Sequence, residues 1–173
     1  MKKIILLITI LSIISISNDY KNKDIEIPNE AIRFRVIANS NTKEDQELKM
    51  KVKYNLEHEL EKSLKNKKSI RDSRIAIKNN IPVFKRNIEK TLKNENSKES
   101  YTINYGLNYF PEKEYKKVKY KEGNYESLVV TLGTGEGENF WCVLFPPLCK
   151  LENENNEKVE YKILVKEILD KFK

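Results

Sequence analysis

Cys142 and Cys149 are the pair best placed to do chemistry in this chain, and they are its only cysteines. An even cysteine count in an exported protein suggests pairing. Fully extended, the seven steps between them span about 23–25 Å, whereas a disulfide holds its Cα atoms about 4.4–6.8 Å apart, so the chain must reverse. Pro146-Pro147 favours that reversal, because proline fixes φ and restricts the residue before it. A ring this small contributes on the order of 2.5 kcal/mol by loop entropy. The alternative is two free thiols in a chain that stays reduced.

Other chemistry has less to build on. The single histidine, His58, falls among Glu57, Glu59 and Glu61 and off the apolar stripe of its helix, which reads as a solvated position. A Cys-His nucleophilic pair would need a free thiol on that face. One histidine and two cysteines leave most multi-ligand zinc sites without ligands. Carboxylates are plentiful but flank lysines on helix faces, and no acid–base pair assembles from them. Gly133-Thr-Gly-Glu-Gly137 has the look of a phosphate cradle, yet no Lys-Ser/Thr follows, and a strand succeeds it where nucleotide folds need a helix N-terminus. It reads as a hairpin turn. No catalytic residue, metal, cofactor or small-molecule substrate is expected.

Two features suggest protein recognition instead. Arg33 and Arg35 point to one side of a strand, where two guanidinium forks can grip carboxylates on a partner; the plain alternative is pairing with acids of the neighbouring helix. Phe140-Trp-Cys-Val-Leu-Phe-Pro-Pro-Leu-Cys149 gathers bulky apolar side chains that cannot all face one core. Either both strand faces are covered, or Phe140, Trp141, Pro146 and Pro147 are partly offered to a partner.

The elements that must position these residues follow from the patterning. The chain has 173 residues, a length that suits one domain. Its 33 Lys+Arg against 26 Asp+Glu give a net charge of +7, but lysine is interleaved with glutamate, so the surface reads as mixed and no nucleic-acid partner is expected. Lys2-Lys3 precedes thirteen uncharged residues, Ile4 to Ile16, too few for a membrane span of about 20 residues. Residues 1–17 therefore read as a secretory signal peptide with small residues before a cut at Asn18, an uncleaved anchor being the alternative. Either way the rest lies outside the cytoplasm.

Residues 18–30 read as a linker and 31–173 as a single domain. Ile32 to Ala38 alternates as a strand. Thr42 with Asp45, and Ser69 with Asp72, open two helices. The first carries Leu48, Val52, Leu56, Leu60 and Leu64 every four residues; the second runs from Ile70 towards Asn80, is interrupted at Pro82, and resumes to about Lys93. Tyr101 to Tyr109 alternates as a half-buried strand ending at Pro111, and a short strand is expected within Tyr115–Tyr120. Tyr125–Leu132 and Asn139–Phe145 are β-rich and joined by the glycine loop as a hairpin. A last amphipathic helix carries Tyr161, Leu164, Val165, Ile168, Leu169 and Phe172. The expected class is α+β: a mostly antiparallel sheet of four or five strands with helices on one side.

Ile32-Arg-Phe-Arg-Val-Ile-Ala-Asn-Ser-Asn41, with Glu44-Asp-Gln46 and Leu48-Lys49, resembles the N-terminal signature of the stage II sporulation protein R family of endospore-forming bacteria. Gly133 to Asn139, running into Phe140 to Cys149, is similar to that family's second signature. Lys53-Tyr54 and Lys150 depart from the family's usual Arg-Asp pair and aromatic. The resemblance implies a signalling protein rather than an enzyme. It would be exported from the forespore into the space between the two sporulating membranes. There it would act on a membrane-embedded aspartic protease of the mother cell, the sporulation sigma-E factor processing peptidase. It also adds Asn39, Asp45 and Gln46 to the candidates for contact or for structure. A secreted hydrolase acting on cell-wall material is the alternative.

Overall fold

A computed structural model of the chain describes residues 25–26, 30–115, 118–147 and 168. The elements are β1 (Ile25–Glu26), β2 (Ile32–Ile37), helix α1 (Lys43–Leu64), helix α2 (Ile70–Asn94), β3 (Tyr101–Phe110), β4 (Lys113–Tyr115), β5 (Val118–Tyr120), β6 (Gly123–Leu132) and β7 (Asn139–Phe145). The fold is α+β. Its main sheet is four-stranded and mostly antiparallel, in the order β3-β6-β2-β7, with β2 and β6 the one parallel pair. A second, three-stranded sheet has the order β1-β5-β4.

Both helices begin where the sequence places them. The Thr42 hydroxyl accepts from the Asp45 amide, and the Ser69 hydroxyl from the Asp72 amide, which satisfies donors that a helix start leaves unpaired. The four-residue stripe of α1 packs Leu48, Val52, Leu56 and Leu60 on the sheet, joined by Ile77, Phe84, Ile88 and Leu92 of α2. The sheet contributes Ile32, Phe34 and Val36 of β2, Leu128, Val130 and Leu132 of β6, and Cys142 and Leu144 of β7. These are alternate residues, so one face of every strand lies under the helices.

Several elements differ from the sequence reading. Pro82 does not interrupt α2, which is continuous from Ile70 to Asn94. Proline deprives the carbonyl four residues back of its donor. Here Pro82 and Lys78 are both on the exposed side of the helix, where water can serve that carbonyl. The apolar stripe continues past the proline, through Ile77, Phe84 and Ile88.

The larger correction concerns the glycine loop, which does not close a hairpin. β6 and β7 are not neighbours, because β2 lies between them. A hairpin turn bonds its own two strands; this loop instead bonds the end of β2, Gly137 N donating to Ala38 O (2.9 Å) and Glu136 N to Asn39 O (3.0 Å).

In place of one short strand at 115–120 there are two, β4 and β5, which pair antiparallel. Within the stretch expected as a linker, Ile25–Glu26 pairs in parallel with Val118–Lys119. Residues 1–17, expected as a signal peptide, and Cys149 lie outside the described residues, as does the stretch expected as a last helix apart from Ile168, which is helical. Among the described residues no helix is long and apolar enough to cross a membrane.

Candidate functional site

The two signature segments, almost a hundred residues apart in sequence, meet at the end of β2 and hold one another. Asn39 is the centre of the contact. Its side-chain oxygen accepts from Thr134 N (2.9 Å) and the Thr134 hydroxyl (3.2 Å), while its amide donates to Asp45 (3.0 Å) and Glu99 (3.3 Å). Asn41 accepts from Glu138 N at 2.7 Å, and Gln46 donates to Ser40 O at 2.9 Å. Lys49 donates to the Gln46 side chain and to Glu138 O. The glycines are there because nothing larger fits. A Cβ on Gly133, whose φ is +54°, would lie 2.2 Å from the Asn39 side-chain oxygen, and one on Gly137 would lie 2.2 Å from Ser40 O.

Charge in this clasp is tuned by hydrogen bonding and burial. The Ser40 hydroxyl donates to Asp45 at 2.6 Å and, with Asn39 and Thr42, holds its carboxyl below the ordinary value; partial burial opposes the shift. Burial pushes the Lys49 ammonium down, against the pull of Glu138. Glu44, Asp45, Glu47, Lys51, Glu95 and Glu99 line a cleft of about 390 Å³ beside the clasp. A general acid needs a carboxyl held above its ordinary value, and Asp45 moves the other way. Among the described residues, no group of three or more His, Cys, Asp or Glu side chains is arranged to hold a metal ion.

The second cluster covers the sheet face away from the helices. Arg33 and Arg35 project there, opposite Phe34 and Val36. Arg33 is 1% exposed, its guanidinium carbon 3.3 Å from the centroid of the Tyr125 ring and 5.6 Å from that of Phe110. Arg35 is half-buried, 5.6 Å from the ring centroids of both Phe110 and Trp141, and donates to Tyr109 O at 3.3 Å. Phe110 and Trp141 meet edge to face with centroids 5.0 Å apart. The last residue of β3 thus arches over β2 and closes the arginines in.

Of the residues singled out from sequence, Asn39, Asp45 and Gln46 come together in the clasp, and Arg33, Arg35 and Trp141 in the aromatic layer. Phe140 is half-buried on the helix side, 6.2 Å from Phe34; Pro146 is buried and Pro147 exposed. Cys142 is buried under the helices, and among the described residues no cysteine is free.

Sequence reasoning missed two lysines. Lys49 and Lys53 are buried within α1, and Lys53 pairs with Glu57 at 2.8 Å, its ammonium 4.5 Å from the centroid of the Phe140 ring. The signal was their spacing. Positions 49, 53 and 57 repeat every four residues immediately beside the stripe at 48, 52 and 56, which widens the buried face.

The described residues make an α+β domain whose two signature segments are each other's structural partners. A family model for Stage II sporulation protein R (spore_II_R) matches residues 28–155, which take in both helices, the whole main sheet and the clasp. Stage II sporulation protein R of Bacillus subtilis (strain 168) is 37% identical over 140 residues, covering 81% of this chain and 62% of that protein. The chain belongs to the stage II sporulation protein R family. It spans about 62% of the length of this relative. No solved structure matches it.

Proposed function

We propose that this chain is an exported signalling protein of sporulation that activates a membrane-embedded aspartic protease of the mother cell, the peptidase that processes the precursor of sigma-E. The observation that carries this reading is the family match over residues 28–155, continuous from the segment before β2 to beyond β7. The uncharged run Ile4 to Ile16 ahead of it supports export. The clasp supports a binding role, because it spends the polar residues of both signatures on holding a rigid surface. A rigid ligand activates a protease by binding one of its conformations better than the other, and preorganisation lowers the cost of doing so.

Of the candidate contact residues, Arg35, Phe140 and Pro147 keep exposed surface, whereas Arg33, Trp141 and Pro146 are buried. The first three are the proposed contacts, with the guanidinium of Arg35 directed at a carboxylate of the protease. Cys142 and Cys149 form a disulfide that closes the chain behind β7, supported by the absence of a free cysteine among the described residues. Replacing either cysteine or both should then give three variants that behave alike.

The decisive experiment co-expresses this chain, the protease and the sigma-factor precursor in a host that lacks all three. Processing should appear only when this chain is present and exported. Precursor that stays uncleaved with the exported chain present would overturn the proposal. Cleavage that proceeds equally without export would overturn the extracytoplasmic route.

A further inference from the structure

β3 is an edge of the main sheet, and among the described residues it pairs only with β6. Opposed residues of an antiparallel pair exchange hydrogen bonds at every second position. Gly133 N donates to Ser100 O at 2.8 Å, one step before the pair Tyr101 and Leu132, so the even-numbered residues of β3 bond β6. The odd-numbered ones turn outward, and Tyr101, Ile103, Tyr105 and Leu107 present their N–H and C=O groups along the free edge. Edge strands in water are usually blunted by charge, proline or a cover. Tyr101 to Phe110 contains neither charge nor proline, in a chain where 34% of residues are charged. On its helix-facing side Leu107 is 75% exposed and Tyr109 57% exposed.

A basic wall runs beside this edge. Arg74, Lys78, Lys85 and Glu89 fall on one stripe of α2. Contacts at both ends turn that stripe towards β3. Arg74 holds Glu126 at 2.8 Å, which also accepts from the Tyr105 hydroxyl at 2.6 Å, and Glu89 accepts from the Tyr101 hydroxyl at 2.8 Å. The carboxylates at this edge are thus engaged, and so is Glu122, which accepts from the Tyr109 hydroxyl at 3.3 Å. The lysines are not: Lys78 and Lys85 are exposed and make no ion pair among the described residues.

We propose that β3 accepts a fifth strand from a partner protein, an extended segment whose helix-facing side chains are acidic opposite Lys78 and Lys85 and apolar opposite Leu107 and Tyr109. Main-chain hydrogen bonds to the outward groups supply affinity for any strand, and the side chains beside them select among sequences. Ile75, 50% exposed and next to Arg74, widens the apolar end. Charge decides against a second copy of this chain. Pairing β3 with another β3 would bring two more lysines to the contact, while the copy's Glu89, Glu122 and Glu126 are already held. β3 and β7 are opposite edges of the sheet, so this surface is separate from Phe140 and does not rest on the signalling role.

Random ten-residue peptides, the length of β3, displayed on phage and selected on the full chain test this. Enriched sequences should place Asp or Glu together with apolar residues at one set of alternate positions. A synthetic copy of the strongest binder, at saturation, should slow exchange of the Ile103, Tyr105 and Leu107 amides at least about tenfold, while those of Thr102, Asn104 and Gly106, already bonded to β6, change less. Lys78→Glu/Lys85→Glu, on the exposed side of α2, should weaken that peptide at least about tenfold, and lysine in place of the peptide's acids should restore binding to the variant. The proposal is overturned by no enrichment, by binders that lack the acidic alternation, or by protection that spares the odd-numbered amides. Binding indifferent to the charge reversal overturns it too. Odd-numbered protection that appears without peptide and grows over a roughly hundredfold rise in protein concentration would assign the edge to a second copy and overturn the partner strand.

Discussion

The helix-covered face of the main sheet is closed by hydrocarbon, with Phe34, Leu128 and Val130 meeting Leu56, Ile77 and Phe84. The opposite face of the same strands is closed by guanidinium groups and rings: Arg33 on Tyr125, and Arg35 between Phe110 and Trp141. Alternation along β2 distributes its residues between the two, Phe34 and Val36 to one side, Arg33 and Arg35 to the other. The comparison shows that alternation determines which side chains share a face, while the chemistry that closes a face is decided by what arrives from elsewhere in the chain. Arginine suits the second face because its planar, weakly hydrated group stacks on aromatics, so a charged residue can be 1% exposed without a hydrocarbon neighbour being lost.

The difference can be broken first on the hydrocarbon side. Phe84→Ala removes a fully buried ring and should cost about 3–5 kcal/mol, read as a lowered urea midpoint with an unchanged slope. Next comes the clasp, which fixes the end of β2 that both faces share. Gly137→Ala sets a methyl against the Ser40 carbonyl, a backbone atom with little room to retreat, and should cost about 2–3 kcal/mol. A smaller loss is expected from Arg33→Lys, which keeps the charge and loses the stacked plane: about 1–2 kcal/mol in the same measurement. Arg35→Lys, at a half-buried position, should lose less than Arg33→Lys. An equal loss at both would mean that the aromatic layer is not what makes the Arg33 site.

These sites differ in how far they could be read from sequence. The helix-side core was legible where a stripe repeats with the period of its own element: 48, 52, 56 and 60 along α1, and alternate residues along β2. Both helix starts were legible for the same local reason. What crosses between elements was not. Residues 133–138 look like a hairpin turn because the two flanking segments are strands; that the loop bonds Ala38 and Asn39 depends on β2 having entered between them. The sequence likewise placed Arg33 and Arg35 on one face, but the rings that cover them come from β3, β6 and β7. The likeness to two family signatures marked the clasp residues as important. Only their hydrogen bonds separate a structural role from a contact role.

The smallest effect separates the clasp from the aromatic face by pH. Asp45 is held below the ordinary carboxylate value, chiefly by the Ser40 hydroxyl, so its folded form binds a proton less readily than its unfolded form. A depressed folded pKa contributes stability that is fully present above the unfolded value of about 3.9 and is lost as pH falls through the folded value. Guanidinium groups keep their charge throughout that window, so the Arg33 and Arg35 layer should be indifferent to it. Urea midpoints measured at about pH 7 and about pH 3 should therefore converge for the unsubstituted chain and Asp45→Asn, which has no carboxylate to protonate, while the deficit of Arg33→Lys stays constant. A gap between the unsubstituted chain and Asp45→Asn that is the same at both pH values would show that the Asp45 carboxylate does not support the clasp, and that Asn39 and the glycine loop hold it without help from that charge.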